Sequence, residues 1–167
     1  GKAITISGTV DGDGLPTSVL DGGGSIRVLR CVSEEGPDTV FENLVIQNGS
    51  ASGDWPNNVG GGMFNDSSSP RLTNCTFTNN SAMGDGGGMW NRDSSPTLTG
   101  CTFTDNSAQF GGGGMLNYSS SPTLDNCTFA NNSASIEGGG ILNINAESSP
   151  TPTLTNCILC GNSPDHI

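Results

Sequence analysis

Basic side chains are scarce in this sequence of 167 residues. Five Lys and Arg stand against 16 Asp and Glu, which gives a formal net charge of −11. A surface that binds nucleic acid or an anionic membrane neutralises phosphates with many clustered basic residues. The five basic residues are Lys2, Arg27, Arg30, Arg71 and Arg92. We therefore predict that the chain binds neither nucleic acid nor an anionic membrane surface.

Long apolar runs and histidine are equally rare. A membrane-spanning helix needs roughly 18 apolar residues in succession, and no run here approaches that length, so we predict no membrane insertion by this segment. The single histidine, His166, has no serine or cysteine partner placed by the sequence pattern. We interpret it as a terminal residue without a catalytic role. Cys157 and Cys160 form one C-x-x-C pair, whereas a zinc site requires a second pair.

Glycine, by contrast, is abundant, with 26 residues and no collagen-like period. The chain repeats itself, because the segment 71–82 recurs at 97–108 and at 123–134, a period of 26 residues. A glycine run and an apolar strand accompany each copy, and the last unit is longer by four residues, around 145–148. The apolar strands are Met63-Phe64-Asn65, Met89-Trp90-Asn91, Met115-Leu116-Asn117 and Ile141-Leu142-Asn143. A fixed period of this length is typical of a solenoid.

Within each repeat, apolar residues alternate with polar ones, and Gly, Asn, Ser or Pro bounds every short run. This pattern favours β-strands over helices. The residue immediately before each Cys-Thr-Phe strand, or before the equivalent strand, is always Asn or Gly. These residues are Asn43, Asn74, Gly100, Asn126 and Asn156. Because these residue types adopt positive φ at low cost, we predict a sharp corner there. Three short strands per repeat, joined by corners, form one coil of an all-β parallel β-solenoid with about six coils.

Stacking such coils places equal residues in columns inside the rod. The predicted apolar columns are Leu72, Leu98, Leu124 and Leu154; Cys75, Cys101, Cys127 and Cys157; and Phe77, Phe103 and Phe129 with Leu159. Two asparagine columns are expected to hydrogen-bond the coils above and below: Asn65, Asn91, Asn117 and Asn143, and Asn80, Asn106, Asn132 and Asn162. Because stacked Cβ directions are parallel, we expect the cysteines to remain thiols that fill small apolar spaces.

The motif Phe-x-x-Asn-x-Ala, followed by Gly-Gly-x-apolar, occurs at Phe77–Ala82, Phe103–Ala108 and Phe129–Ala134. It resembles the repeat of the chlamydial polymorphic outer membrane proteins, whose passenger domains are right-handed parallel β-helices of the pectate-lyase-like type. The resemblance implies a right-handed helix and an extracellular or cell-surface location. It does not specify an activity. We predict one domain over 1–167, with irregular N-terminal coils at 1–43, regular repeats at 44–163 and a tail at 164–167.

One surface feature indicates a binding site. If the methionines face inward, the next residue of each strand points outward, so Phe64, Trp90, Leu116 and Leu142 form an apolar column with Tyr118 close by. A contiguous exposed column indicates a contact surface. We identify these five residues as the candidate site for a surface glycan or protein. The alternative is that the segments before each glycine run fold over the column.

Three further groups of residues are candidate sites. Asp11, Asp13 and Asp21 lie in a glycine-rich stretch where alternate carboxylates could hold Ca²⁺, although a simple turn explains the same residues. Asp66 and Asp93 are the candidate paired carboxylates of an enzyme that degrades polysaccharides. A Thr-x-Thr ladder suits ice binding, and threonine also suits any exposed strand; its members are Thr76, Thr78, Thr102, Thr104 and Thr128.

The predicted function is that of an extracellular structural or adhesive module without catalysis or a cofactor, because the strand-facing acids are scattered along the sequence. A carbohydrate-binding or polysaccharide-degrading fragment is the alternative. The final strand, 157–160, is apolar in all four positions, and seven residues follow it. An uncovered strand edge of this kind invites pairing, so we expect either that the segment is a piece of a longer rod or that copies of the chain associate end to end.

Overall fold

The computed structural model describes residues 3–144 and 151–164, which coil into a parallel β-helix of about five turns. Among these residues, no helix has the length and apolar character needed to cross a membrane. The strands are β1 (Thr5–Ser7), β2 (Ser18–Asp21), β3 (Leu29–Cys31), β4 (Val40–Glu42), β5 (Leu44–Gln47), β6 (Ser50–Ala51), β7 (Met63–Asp66), β8 (Arg71–Thr73), β9 (Thr76–Thr78), β10 (Ser81–Ala82), β11 (Met89–Arg92), β12 (Thr97–Thr99), β13 (Thr102–Thr104), β14 (Ser107–Ala108), β15 (Met115–Tyr118), β16 (Thr123–Asp125), β17 (Thr128–Ala130), β18 (Ser133–Ala134), β19 (Ile141–Ile144), β20 (Thr153–Thr155) and β21 (Ile158–Cys160).

In the described residues these strands stack into four parallel sheets. Sheet 1 contains β1, β4, β8, β12, β16 and β20, and sheet 2 contains β2, β5, β9, β13, β17 and β21. Sheet 3 contains β3, β7, β11, β15 and β19, and the short sheet contains β6, β10, β14 and β18. Neighbouring strands pair one repeat apart, so Met89 lies beside Met63 and Met115. The repeat, the parallel stacking and the all-β fold are therefore confirmed.

The short sheet adds a strand to the three predicted for each coil. Its strands hold two residues each, as in Ser81–Ala82 and Ser107–Ala108. Two residues are too few for an alternation of apolar and polar positions to show in the sequence. The insertion predicted around 145–148 lies outside the described residues, and the register resumes where Leu154 pairs with Leu124.

The predicted apolar columns line the interior of the β-helix. Phe77, Phe103 and Phe129 stack face to face, with neighbouring ring centroids 4.6 Å apart. Leu154 and Cys157 are only partly buried, because the last described turn has a neighbouring turn on one side. All six cysteines are free thiols. The fully buried members of the leucine and cysteine columns are Leu72, Leu98, Leu124, Cys75, Cys101 and Cys127.

Residues in the left-handed conformation make the corners. The predicted corner is confirmed, with φ of 56° at Asn43, 49° at Asn74, 62° at Gly100, 53° at Asn126 and 53° at Asn156. A Cβ at Gly100 would meet no atom within 4 Å, so the backbone conformation, and not a lack of space, selects the residue there. The structure has further corners that the sequence analysis did not identify, such as Asn79 and Ser119 with φ of 54° and 48°.

Both asparagine columns form amide ladders, as predicted. Asn65 Nδ2 donates to Asn91 Oδ1 at 2.8 Å, and the ladder continues to Asn117 and Asn143. These bonds pair polar groups that the stacked turns exclude from water, except at the start of the ladder, where Asn65 Oδ1 is buried without a hydrogen-bond partner. The second ladder has amide distances of 2.9 to 3.0 Å and runs through Asn80, Asn106, Asn132 and Asn162.

The glycine run before β11 lets adjacent turns approach closely. A Cβ at Gly87 would lie 2.2 Å from the carbonyl oxygen of Ser107, and a Cβ at Gly88 would lie 2.5 Å from that of Gly114. No side chain fits at such distances, so the close approach of the two backbones requires glycine at both positions.

Candidate binding groove

The outward column on sheet 3 is covered, which corrects the prediction of an exposed contact surface. Phe64, Trp90 and Leu116 are only 1%, 5% and 1% exposed, and Leu142 is half-buried. The segments before the glycine runs fold over these side chains, and Val59 from one such segment packs among them. The rings of Phe64 and Trp90 stack with their centroids 5.2 Å apart. The column is therefore a second, smaller hydrophobic core, in line with the alternative interpretation.

Arg27 fastens the covering segment 52–60 to the β-helix. Its Nη2 donates to the carbonyl oxygens of Pro56 and Val59, both at 2.7 Å, and its Nε donates to that of Gly60 at 3.0 Å. Burial is the main reason why the pKa of Arg27 is lowered to about 10. The side chain therefore remains charged at neutral pH. The sequence analysis did not single out Arg27, because nothing in the irregular coils indicates its partners.

A second outward column, made of Asp66, Arg92, Tyr118 and Ile144, ends the strands of sheet 3. Arg92 Nε donates to Asp66 Oδ1 at 2.9 Å, and Arg92 Nη2 donates to the other carboxylate oxygen. The hydrogen bond to Asp66 raises the pKa of Arg92. The same guanidinium lies 4.8 Å from the ring centroid of Trp55, within the range of a cation–π interaction.

A groove of about 390 Å³ lies between this second column and the covering segments. Two aromatic residues dominate its rim, because Trp55 and Tyr118 are 54% and 46% exposed. Of the five residues predicted to form the site, Tyr118 lines the groove with two others, whereas Phe64 and Leu142 do not. The complete lining is Trp55, Asp85, Trp90, Arg92, Leu116, Tyr118 and Ile144.

The sequence analysis missed Trp55, Asp85 and Arg92 as site residues. None of these three residues has an identical residue at the equivalent position of another repeat. The comparison of repeats that revealed the columns therefore gives no signal for them. The repeats before and after Arg92 hold Asp66 and Tyr118 at the paired positions. The one signal that could have revealed Arg92 is that this outward position changes in every repeat, whereas the inward positions beside it stay the same.

Asp85 supplies a carboxyl group to the groove. Its Oδ1 accepts a hydrogen bond from the backbone N–H of Gly111 at 2.9 Å. Burial raises the pKa of Asp85, and the negative charge of Glu137 adds to the rise. Asp85 and Arg92 thus place acceptor and donor groups beside aromatic rings. This combination is the usual composition of a site for a small polar ligand.

The architecture has a counterpart among protein families. The family model of the right-handed β-helix region matches residues 19–166. The chain belongs to the right-handed β-helix family. The match confirms the handedness expected from the sequence. No curated protein and no solved structure matches the chain. The family includes enzymes and non-enzymes, so membership does not specify the activity of this β-helix.

The β-helix does not bring the three predicted calcium ligands together. The carboxylate of Asp11 accepts two backbone hydrogen bonds of its own turn, one of them from Asp13 at 3.0 Å. Asp21 accepts from the amides of Gln47, at 2.7 Å, and Asn48, and these bonds lower the pKa of Asp21. Within 3–144 and 151–164, no group of three or more His, Cys, Asp or Glu is placed to hold a metal ion. Asp11 and Asp13 belong to a turn, and Asp21 is the last residue of β2.

The remaining candidate residues do not line the groove. Thr76, Thr102 and Thr128 stack in register on sheet 2 and are half-buried. Asp66 is held by Arg92, and Asp93 occupies a corner of the chain. The two carboxylates considered for catalysis therefore have separate structural roles. His166 lies outside the described residues.

Proposed function

We propose that this β-helix is an extracellular adhesive module that binds a carbohydrate in the groove of sheet 3. The observation that carries the proposal is the pair of exposed rings, Trp55 and Tyr118, beside Asp85 and Arg92. A sugar ring offers an apolar face of C–H groups and a rim of hydroxyl groups. It therefore needs flat apolar partners and hydrogen-bonding groups at the same site. The groove supplies both.

The size and rigidity of the groove support a small ligand. Its volume of about 390 Å³ lies within the range of roughly 300–1,000 Å³ for small-molecule sites. Trp90 in the lining is fixed by stacking on Phe64 and by strands that pair on both sides. Trp55 is held by Arg92 and by the segment that Arg27 fastens. A site that is already ordered loses little conformational entropy on binding.

The acidic residues of the groove favour binding of a glycan without its cleavage. Hydrolysis by paired carboxylates requires two such groups roughly 5–10 Å apart. Among the described residues, Asp85 is the one carboxylic acid in the lining, and Asp66 is engaged by Arg92. Polysaccharide degradation is the second candidate function. It is favoured by the raised pKa of Asp85, which suits a group that donates a proton to a leaving oxygen.

The cell-surface location is part of the proposal. The acidic balance of the chain and its resemblance to the repeats of chlamydial polymorphic outer membrane proteins support it.

End-to-end association and ice binding remain predictions. Ile158 and Cys160 are exposed on β21, the last described strand of sheet 2, where a second copy would pair. Light scattering at rising protein and salt concentration tests that association.

Glycan binding is measured on a panel of immobilised neutral, amino and acidic oligosaccharides. Trp55→Ala and Tyr118→Ala are each expected to weaken binding at least about tenfold, because each removes an aromatic platform. Phe110→Ala is the matched control, since Phe110 is 46% exposed like Tyr118 and does not line the groove. Binding that none of the variants weakens, or no binding to any glycan, would contradict the proposal.

Release of reducing ends from the bound glycan distinguishes binding from degradation. We expect no release by the parent protein. Asp85→Asn retains an acceptor for the Gly111 N–H but cannot donate a carboxylic proton. Turnover by the parent that Asp85→Asn abolishes would establish the degrading function instead.

A further inference from the structure

We infer that Asp66 determines the specificity of the groove: by engaging Arg92 it restricts the site to uncharged sugars and excludes uronates. The inference rests on the proposed function, because it concerns which carbohydrate the same groove accepts. It assigns a role to a residue that does not line the groove itself.

The geometry places Asp66 where the carboxylate of a ligand would bind. Asp66 on β7 and Arg92 on β11 are direct partners in the parallel register. The carboxylate takes two donors of the guanidinium, Nε at 2.9 Å and Nη2. This side-by-side arrangement is the one in which arginine recognises a free carboxylate. Trp55 lies over one face of the guanidinium, with its ring centroid 4.8 Å away, so the protein itself uses the Nε–Nη2 edge at which a uronate carboxylate would bind.

The charges around the groove also disfavour the binding of a uronate. Arg92 and Asp66 form an ion pair, so the charge of the guanidinium is compensated inside the protein. Asp85 in the lining and Glu137 beside it add acidic groups, and the whole chain carries a formal net charge of −11. A polyanionic ligand is repelled by such a surface, whereas a neutral sugar is not.

Replacing Asp66 by asparagine isolates this effect. Asparagine retains a side-chain oxygen as an acceptor and has nearly the same shape, but it removes the competing charge. The pair is partly exposed, with 30% and 22% of the two side chains accessible, and exposed ion pairs contribute little to stability. The variant is therefore expected to fold and to free Arg92 for a ligand carboxylate.

The experiment uses matched pairs of probes: the tetrasaccharides of glucose, mannose and galactose, each beside its counterpart oxidised to a carboxylate at C6. We expect the parent to bind at least one neutral tetrasaccharide and to bind its uronate counterpart at least about tenfold more weakly. Asp66→Asn should improve uronate binding at least about tenfold and leave neutral binding within about twofold. The gain should shrink as salt screens the new ion pair.

Two controls make the result specific. Asp105→Asn removes the same charge at an exposed corner outside the groove and should not improve uronate binding. In Asp66→Asn/Arg92→Gln the gain should disappear, because it requires the free guanidinium. Equal binding of neutral and acidic probes by the parent, or no gain in Asp66→Asn, overturns the inference and leaves the proposed function standing. Binding of neither class by any protein overturns both.

Discussion

The interior of the β-helix and the outer face of sheet 3 share the same strands but differ in how their residues vary. On β11, Met89 and Asn91 face inward and are identical to their partners on β7 and β15. Trp90 and Arg92 face outward, and neither is identical to its partners. Regularity and variation therefore alternate residue by residue along a single strand.

The difference follows from packing. Inside, each turn must fill the same cross-section as the turns beside it, so a change of side chain leaves a cavity or a clash. On the outer face, the choice of residue is limited only by the segment that covers it. A different side chain there can change the shape and the charge of the surface. Identical columns thus indicate the fold, whereas the groove lies where the outward residues differ from turn to turn.

The largest effect is expected when the interior column is broken in its middle. Phe103 is buried between the stacked rings of Phe77 and Phe129, so Phe103→Ala opens a cavity in a narrow core. We expect a loss of roughly 3–5 kcal/mol in the free energy of unfolding, measured by urea denaturation. The exposed Phe110 is the control, and Phe110→Ala should change this free energy by less than about 0.5 kcal/mol. Equal losses from both variants would contradict the distinction between the two regions.

A change at Arg27 should affect the outer region more than the interior. Arg27→Met retains the apolar stem but leaves the carbonyl oxygens of Pro56 and Val59 without their donor. We expect a loss of about 2–3 kcal/mol in the free energy of unfolding and faster proteolysis within 52–60, because the segment opens locally. Arg30→Met is the control, since Arg30 is exposed and lies 5.7 Å from the Phe64 ring. Unchanged proteolysis in Arg27→Met would show that the segment holds without this side chain.

The corner at Gly100 tests how strictly the interior repeat is required. Gly100→Val forces a β-branched residue to φ of 62° and should cost roughly 1–3 kcal/mol in the free energy of unfolding. Gly100→Asn should stay within about 0.5 kcal/mol of the parent, because Asn74 and Asn126 occupy the same corner and asparagine tolerates this conformation. If thermal unfolding of the two variants is the same, backbone conformation does not select the residue.

The smallest effect is expected at Asp85 and depends on pH. Burial raises the pKa of Asp85 in the folded state above its unfolded value, near 3.8. The stability that comes from the protonated acid is therefore complete below the unfolded pKa and is lost as the pH rises through the folded pKa. Asp85→Asn should match the parent in acid and unfold at a slightly higher temperature at neutral pH. Asp105→Asn, at an exposed corner, should lack this pH-dependent difference. A neutral-pH melting temperature below that of the parent would contradict the direction of the shift.

Much of the fold could be predicted from the sequence because its constraints recur. The Phe103 column, the Asn91 ladder and the Gly100 corner each repeat every 26 residues, and repetition turns a weak local preference into a clear pattern. The candidate site could be predicted only in part. Trp90 and Tyr118 were identified from the outward column. The burial of that column could not be predicted, because nothing in the local sequence indicates that the preceding segments fold over it.

The sequence by itself therefore determined the coil, its period, its inward columns and its corners, because every turn satisfies the same local geometry and packs against a copy of itself. Only the tertiary structure decided that Arg27 fastens 52–60 over Phe64 and that Trp55 meets Arg92 beside Asp66. These residues occur once, and their partners come from different turns. The physical reason is that a periodic pattern encodes contacts between equivalent positions, whereas the groove is made of contacts between positions that are not equivalent.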